Sequence, residues 1–219
     1  MKQNIRSWAL VGAGCACLTA WSSPGQSQGF YFNTDIGVAL ADEVKLNQYF
    51  GPTGGTKLDF DTGVRLSASG GFNFNPFLGI EAETGLIYNS VKGVVGGGGI
   101  DASLSHFPMM INAVVRYDQP RSKWVPYAGV GAGGDASVIT LNNVGGNNII
   151  ADGSDTTIAF AWQAFAGLRY RLNRQMSVGA GYKYYSVDSA SWDFAGFTDS
   201  IKIGRANVHS VLFEFNMKF

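Results

Sequence analysis

The sequence predicts an all-β fold, an eight-stranded antiparallel up-and-down barrel that crosses a membrane with its strands. Apolar and polar residues alternate with a period of two along eight segments, which is the pattern of strands with two different faces. Short turns and long loops alternate between these segments, as they do in membrane barrels. The chain also contains 30 glycines, 13% aromatic residues and only 15% charged residues, a composition that disfavours helices and suits a sheet with aromatic faces.

The first 27 residues are expected to form a signal peptide, with the barrel domain covering residues 28–219. A basic start precedes a mostly apolar stretch over 7–20 and a polar tail of small residues that ends at Ser27, the order found in export signals. The apolar stretch is too short to span a bilayer, which takes about 20 residues. Both cysteines, Cys15 and Cys17, lie in this segment, so we expect no thiol in the mature chain. An alternative, lipid modification of Cys15, lacks the usual upstream leucine.

The first strand is predicted over residues 30–40, where Phe30, Phe32 and Ile36 share one face and Asp35 lies on the other. The same alternation predicts the remaining strands over residues 60–74, 77–90, 103–118, 124–140, 157–172, 176–187 and 205–219. Each is long enough to cross a bilayer, which takes a tilted strand about 9–11 residues. No later segment is apolar for long enough to form a membrane helix, so an exported membrane chain must cross as a closed barrel.

The connections differ in length in a regular way. Short turns are predicted at 75–76, 118–123 and 173–175, and long loops at 41–59, 91–101, 141–155 and 188–204. This alternation puts the short turns at one end of the barrel and the long loops at the other. A β-sandwich with Greek-key crossovers would not produce it.

Aromatic residues on the apolar face gather at two levels, which predicts two girdles at the two interfaces of a bilayer. The level near the short turns and termini comprises Phe30, Phe32, Phe72, Phe74, Tyr117, Tyr170, Phe215 and Phe219. The level near the long loops comprises Tyr88, Phe107, Phe160, Trp162, Tyr182 and Tyr184. A soluble eight-stranded barrel would have to enclose these rings, and its interior is too narrow to hold them.

The opposite face is predicted to line the lumen, and its charges nearly cancel. The acidic set is Asp35, Asp61, Glu81, Glu83 and Glu214, and the basic set is Arg65, Arg116, Arg169, Arg171, Lys183 and Lys218. Such groups must pair, because an unpaired buried charge costs several kcal/mol; Arg65 is expected opposite Glu81 or Glu83. An alternative use of Glu81 and Glu83 is a proton or ion path. Inward glycines at 63, 71, 79, 85, 167, 179 and 181 add room.

One strand, 124–140, has no clear facing from the sequence. Tyr127 alternates there with Ala128, Val130 and Ala132. We place the two alanines and the valine outward, toward lipid.

Several stretches resemble a known family. They are Phe60-Asp-Thr-Gly, Asn75-Pro-Phe-Leu-Gly-Ile-Glu-Ala-Glu, Pro126-Tyr-Ala-Gly-Val-Gly-Ala-Gly, Gly167-Leu-Arg-Tyr-Arg-Leu, Val178-Gly-Ala-Gly-Tyr-Lys-Tyr and the terminal Val211-Leu-Phe-Glu-Phe-Asn-Met-Lys-Phe. In their order they resemble the small bacterial outer-membrane barrels of the OmpA-like, OmpX-like and opacity-type porin family. The resemblance implies eight strands, periplasmic termini and four surface loops. It also implies that Phe213, Phe215, Met217 and Phe219 form the signal read by the barrel-assembly machinery.

Motifs for chemistry are weak. Residues 129–134 match the glycine spacing of a dinucleotide-binding motif. A strand-like segment follows them, however, where that motif requires a phosphate-binding helix. The pairs Ser105-His106 and His209-Ser210 are adjacent along strands, so their side chains point to opposite faces and cannot act as nucleophile and base. No catalytic residue, cofactor or metal ligand is therefore predicted.

The leading hypothesis is a structural and surface-interaction protein that acts in envelope integrity or adhesion through its four loops, with a lumen plugged by salt bridges. A narrow porin-like channel is the alternative, and a lipid-modifying enzyme a third. The loops carry apolar residues that mark either contact surfaces or strands extended beyond the membrane: Tyr49, Phe50, Ile149, Ile150, Trp192, Phe194 and Phe197. Expected partners are outer-membrane lipid, lipopolysaccharide and a host or surface ligand. A monomer is expected, and zero net charge argues against nucleic acid. The chain ends at the eighth strand, so no wall-binding domain is expected.

Overall fold

The computed structural model describes residues 28–49, 56–94, 101–146, 149–192 and 201–219. The predicted signal peptide lies outside these residues. The described strands are β1 Gly29–Ala41, β2 Val44–Tyr49, β3 Lys57–Phe60, β4 Gly63–Asn73, β5 Leu78–Val94, β6 Ala102–Arg116, β7 Trp124–Gly146, β8 Ile149–Arg171, β9 Met176–Val187, β10 Ala190–Trp192, β11 Ile201–Ile203 and β12 Ala206–Lys218. Within the described ranges, no helix has the length and apolarity needed to cross a membrane.

Eight of these strands form a closed antiparallel barrel, as predicted. Their order around the ring is β1-β4-β5-β6-β7-β8-β9-β12, and β12 pairs with β1 to close it. Following paired residues once around the ring from Tyr31 leads to Ala41, ten residues further along β1. A shear of this size in an eight-stranded barrel tilts the strands by about 40°.

The other four strands extend the barrel wall at the end with the long connections. They lie in the order β10-β11-β2-β3, and β3 continues onto the upper end of β5. The strands β7 and β8 extend in the same direction and have 23 residues each. The connections predicted as loops at 41–59, 141–155 and 188–204 therefore contain strands. Of the two alternatives left open for the apolar loop residues, the described part of the chain shows extended strands, because these residues pair with one another beyond the ring and bury apolar side chains between them.

The two faces of the barrel have opposite character, the reverse of a water-soluble protein. The outer face exposes large aliphatic side chains, such as Ile111 at 57%. The inner face buries charged and amide groups such as Arg65 and Gln163, both at 0%. On β7, Val130 is 62% exposed and Tyr127 is buried, so the predicted outward facing of Val130 is confirmed.

A large apolar core fills the end of the barrel that carries the long connections. It consists of Ala39, Val44, Leu46, Leu58, Phe60, Ile87, Val91, Ala102, Leu104, Met110, Ile139, Leu141, Ala161, Tyr185, Val187, Ala190, Trp192, Ile201, Ile203, Ala206 and Val208. Trp192 is 0% exposed, so this loop residue is buried between extended strands and is not a surface contact. The side chains of the other apolar loop residues (Tyr49, Phe50, Ile149, Ile150, Phe194 and Phe197) lie outside the described part of the chain.

Two features of the wall depart from a regular ladder. Inward glycines make room for rings: a Cβ on Gly71 would overlap the ring of Tyr31, and one on Gly167 would overlap Tyr127. Pairing between β5 and β6 runs from Thr84–Met109 directly to Ile87–His106 and omits the two intervening pairs. Pro108 lies in that interval and has no N–H to donate.

Candidate functional site in the barrel interior

A network of charged side chains crosses the middle of the lumen. Lys183 Nζ donates to Glu83 Oε1 at 2.6 Å and to Asp35 Oδ2 at 3.0 Å. Arg65 Nη2 lies 3.1 Å from the same Glu83 oxygen. The predicted pairing of Arg65 with Glu83 is thus present, and one lysine joins two carboxylates from different strands.

Two amide side chains complete this network. Gln163 Nε2 and Asn112 Nδ2 each donate to Glu83 Oε2 at 2.8 Å. Gln163 Oε1 accepts from Arg65 at 2.9 Å. Glu83 therefore has donors at both oxygens, which a buried carboxylate requires.

Glu81 has a different set of partners. It accepts from Tyr31 Oη at 2.9 Å and from Asn112 Nδ2 at 3.0 Å. Among the described residues, Arg65 forms its salt bridge with Glu83 and not with Glu81.

A second group of charges lies toward the short turns. Arg169 Nε donates to Glu214 Oε2 at 3.0 Å, and Tyr127 Oη donates to the other Glu214 oxygen. The guanidinium carbon of Arg169 lies 4.1 Å from the centre of the Tyr127 ring, a cation–π contact.

Asp118 holds the two basic side chains at the edge of the ring. Arg171 and Lys218 both donate to its carboxylate. Burial alone would raise the pKa of Asp118, but the hydrogen bond and charge of Lys218, with the charge of Arg171, hold that pKa below its ordinary value. The sequence suggested a turn residue here and gave no sign of this role.

A buried histidine lies at the boundary with the apolar core. His106 Nδ1 is 2.7 Å from Asp135 Oδ2 and 3.0 Å from Ser137 Oγ. Both contacts use the same ring nitrogen, and Ser137 also donates to Asp135. In a catalytic triad the acid and the nucleophile contact different nitrogens, so this group is arranged as a structural cluster.

Most residues predicted to line the lumen are buried there: Asp35, Arg65, Glu81, Glu83, Arg116, Arg169, Lys183 and Glu214. Arg171 and Lys218 are partly exposed at the short-turn end. Asp61 was predicted to face the lumen and is instead exposed, because it lies in the connection between β3 and β4 rather than in a strand. Sequence reasoning missed Tyr31, Asn112, Tyr127, Asp135 and Gln163. Their inward alternation was visible, but four of them are uncharged, and Asp135 lies on the strand 124–140, whose facing the sequence left unclear.

The aromatic side chains predicted as girdles lie on the outer face. Near the short turns these are Phe30, Phe32, Phe72, Phe74, Tyr117, Tyr170, Phe215 and Phe219, and near the long connections Tyr88, Phe107, Phe160, Trp162, Tyr182 and Tyr184, all fully or partly exposed. Trp124, which the sequence reading did not include, packs against Tyr170 with ring centres 4.9 Å apart. In the terminal segment Phe213, Phe215, Met217 and Phe219 point outward at alternate positions, exposed or partly so.

The interior thus has two layers, a charged network from the short turns to mid-barrel and an apolar core beyond it. Such an arrangement can hold opposite strands of the barrel wall together through contacts across the lumen. Among the described residues there is no cluster of histidine and acidic side chains that could hold a metal ion.

Comparison with known proteins identifies relatives of this architecture. The family model described as "Outer membrane protein beta-barrel domain" matches residues 9–219, whereas no curated protein matches the chain. The chain is similar to the outer membrane protein OprG from Pseudomonas aeruginosa, with a TM-score of 0.57 and 18% identity over 88% of this chain and 97% of that one. It is also similar to Neisserial surface protein A, with a TM-score of 0.55 and 16% identity over 87% and 97% of the two chains. At these identities the likeness concerns the fold.

Proposed function

Because this chain belongs to the outer membrane protein β-barrel domain family and so lies in a bacterial outer membrane, we propose that it is a closed, non-conducting barrel that braces the envelope and presents a folded surface outside the cell. The two-layered interior is the observation that carries this proposal. The outward apolar face contacts lipid, and the aromatic levels mark its two interfaces.

The charged layer supports closure because its contacts span the lumen. Lys183 on β9 reaches Glu83 on β5 and Asp35 on β1. Each of these groups is almost completely removed from solvent. A solute moving through would have to break several charge-assisted hydrogen bonds in a site of low dielectric constant.

The apolar layer supports closure independently. An ion that passed the charged layer would meet Ile87, Met110, Tyr185 and Trp192, all buried in one core. Moving a charge into such surroundings is strongly unfavourable. A narrow pore therefore fits this interior less well than a plug.

The surface role rests on the extension of the wall. Strands β2, β3, β10 and β11 and the long β7–β8 hairpin form paired structure beyond the ring. Exposed ion pairs such as Lys57–Glu43 and Arg205–Asp188 lie on it. A framework of this kind holds loop residues in place for an outside ligand at a lower entropy cost than free loops would incur.

Conductance across a planar bilayer tests closure. We expect no stable single-channel steps from the folded chain, and none after the exposed control change Lys57→Met. Regular steps whose size changes in Glu83→Gln would contradict the plug and favour the pore. Unchanged lipid A mass in cells that overproduce the chain is expected, and a modified lipid A would indicate an enzyme.

A deletion strain tests the envelope and surface roles. We expect greater detergent sensitivity, weaker adhesion to host surfaces, or both, with recovery when the chain is restored. A strain that matches its parent in both assays would contradict the proposal.

A further inference from the structure

A recess opens at the end of the barrel that carries the short turns. Its charged lining residues are all cationic: Arg116, Arg169, Arg171, Arg174 and Lys218. We call this the short-turn recess. The space open to the centres of water molecules is about 20 Å³, so it suits a small group rather than a large molecule.

The cations of the short-turn recess outnumber the acids that neutralise them. Asp118 serves both Arg171 and Lys218, and Glu214 serves Arg169. In the part of the chain that the structure describes, no carboxylate forms a salt bridge with Arg116 or Arg174. The recess therefore carries a net positive charge.

Arg116 is the unusual member of this set because it is buried as well as unpaired. Its residue exposure is 7%. Its guanidinium donates to the main-chain oxygens of Asn75 at 3.1 Å and Leu78 at 3.5 Å, and its Nε has no hydrogen-bond partner. A buried guanidinium that no described carboxylate meets in a salt bridge, and that has one N–H without a partner, is costly.

We propose that the short-turn recess binds a phosphate group, with Arg116 as its main ligand. A guanidinium donates two parallel hydrogen bonds to a tetrahedral oxyanion. Neutral donors from Asn173, Gln175 and Ser177 line the same recess and serve the remaining oxygens. The negative charge of the bound phosphate offsets the cost of burying the Arg116 guanidinium. Arg174, in the exposed turn, attracts the anion to the recess.

The phosphate reaches the recess from the side that this family places in the periplasm. The group is inorganic phosphate, a soluble phosphate ester or the headgroup of an inner-leaflet lipid, which share the same chemistry. This inference does not depend on whether the barrel conducts.

Nuclear magnetic resonance on the full chain in dodecyl maltoside, a phosphate-free detergent, tests the site. Inorganic phosphate is added at constant ionic strength while arginine Nε–Hε signals are followed. We expect a saturable shift of the Arg116 signal in the wild type. In Arg116→Gln, binding is followed at the Arg174 signal and should be at least about tenfold weaker. Arg205→Gln, which alters an exposed pair at the other end, should bind as the wild type does.

A second variant and a second ligand make the outcome decisive. Arg174→Gln lies in an exposed turn, so it should fold and bind a few-fold more weakly. Short-chain phosphatidylglycerol is titrated in parallel: saturation by phosphate indicates a soluble anion, and saturation by the lipid alone indicates a headgroup. Failure of both ligands to give a saturable shift, or equal affinity in the wild type and both arginine variants, would overturn the site.

Discussion

Lys183 and Glu83 lie on diametrically opposite strands of the barrel, yet their charged atoms are 2.6 Å apart. Three strands separate β9 from β5 in either direction around the ring. The pair therefore ties the wall across its diameter, and Arg65 on β4 reaches Gln163 on the opposite strand β8 in the same way.

Removal of the lysine should be costly because it leaves two carboxylates buried. Lys183→Met is expected to lower the free energy of unfolding by about 3–5 kcal/mol. Reversible urea unfolding in lipid vesicles, followed by tryptophan fluorescence, measures it. The double change Lys183→Met with Glu83→Gln should cost less than the sum of the two single changes, and the exposed control Lys57→Met about 0–1 kcal/mol. Additive costs would mean that the pair does not interact.

The part of the outer face that lies in the membrane can be located by making the same substitution at two depths. Ile111 points outward between the two aromatic levels, and Ile158 points outward on β8 with 77% exposure, two residues beyond Phe160 on the side of the long connections. Ile111→Arg should destabilise the folded barrel in vesicles by about 2–4 kcal/mol, and Ile158→Arg by about 0–1 kcal/mol. Equal costs at the two positions would contradict the assigned membrane span.

Trp192 tests whether the extension is a packed structure. Its indole is buried in the apolar core, and Nε1 donates to the Ser137 main-chain oxygen at 3.0 Å. Trp192→Ala should cost about 3–5 kcal/mol of folding free energy and expose the extension to protease added to intact cells. The neighbouring exposed residue provides a control, Ser191→Ala, which should leave cleavage unchanged. Resistance of the Trp192→Ala chain would argue against a core at this place.

Asp118 predicts how stability depends on pH. Its pKa is lowered in the folded chain, so its contribution is present above the pKa of the unfolded chain, about 4, and is lost as the pH falls through the folded value. Asp118→Asn should lower the urea midpoint most at pH about 7, and its effect should shrink progressively as the pH falls below about 4. A loss of the same size at every pH would assign the effect to packing instead of charge.

The sequence was sufficient for the eight ring strands and for the direction of most of their faces, and it narrowed the partner of Arg65 to Glu81 or Glu83. These follow from a period of two and from antiparallel neighbours joined by tight turns. The contacts of Lys183 with Glu83 and of Tyr127 with Glu214 could not be foreseen, because they join strands that are not neighbours. Which side chains meet across a lumen depends on the shear of the closed sheet, a property of the whole ring.

The sequence left open whether strands extend beyond the membrane and could not give their pairing, for a related reason. Segments such as 44–49 and 201–203 are too short to signal a strand alone, and β2 finds its partner β11 only after the ring has brought distant parts of the chain together. Asp61 illustrates the converse error. It fits the alternation of its neighbours in sequence but lies outside the strand that begins at Gly63.

The interrupted ladder at Pro108 makes the wall unequal in strength around its circumference. Every seam resists tension with its row of main-chain hydrogen bonds, and the one between β5 and β6 has a gap of two residue pairs at mid-height. Under lateral stretching of the membrane the sheet should part there first. Amide hydrogens beside the gap should also exchange with deuterium sooner than those at the same depth between β8 and β9.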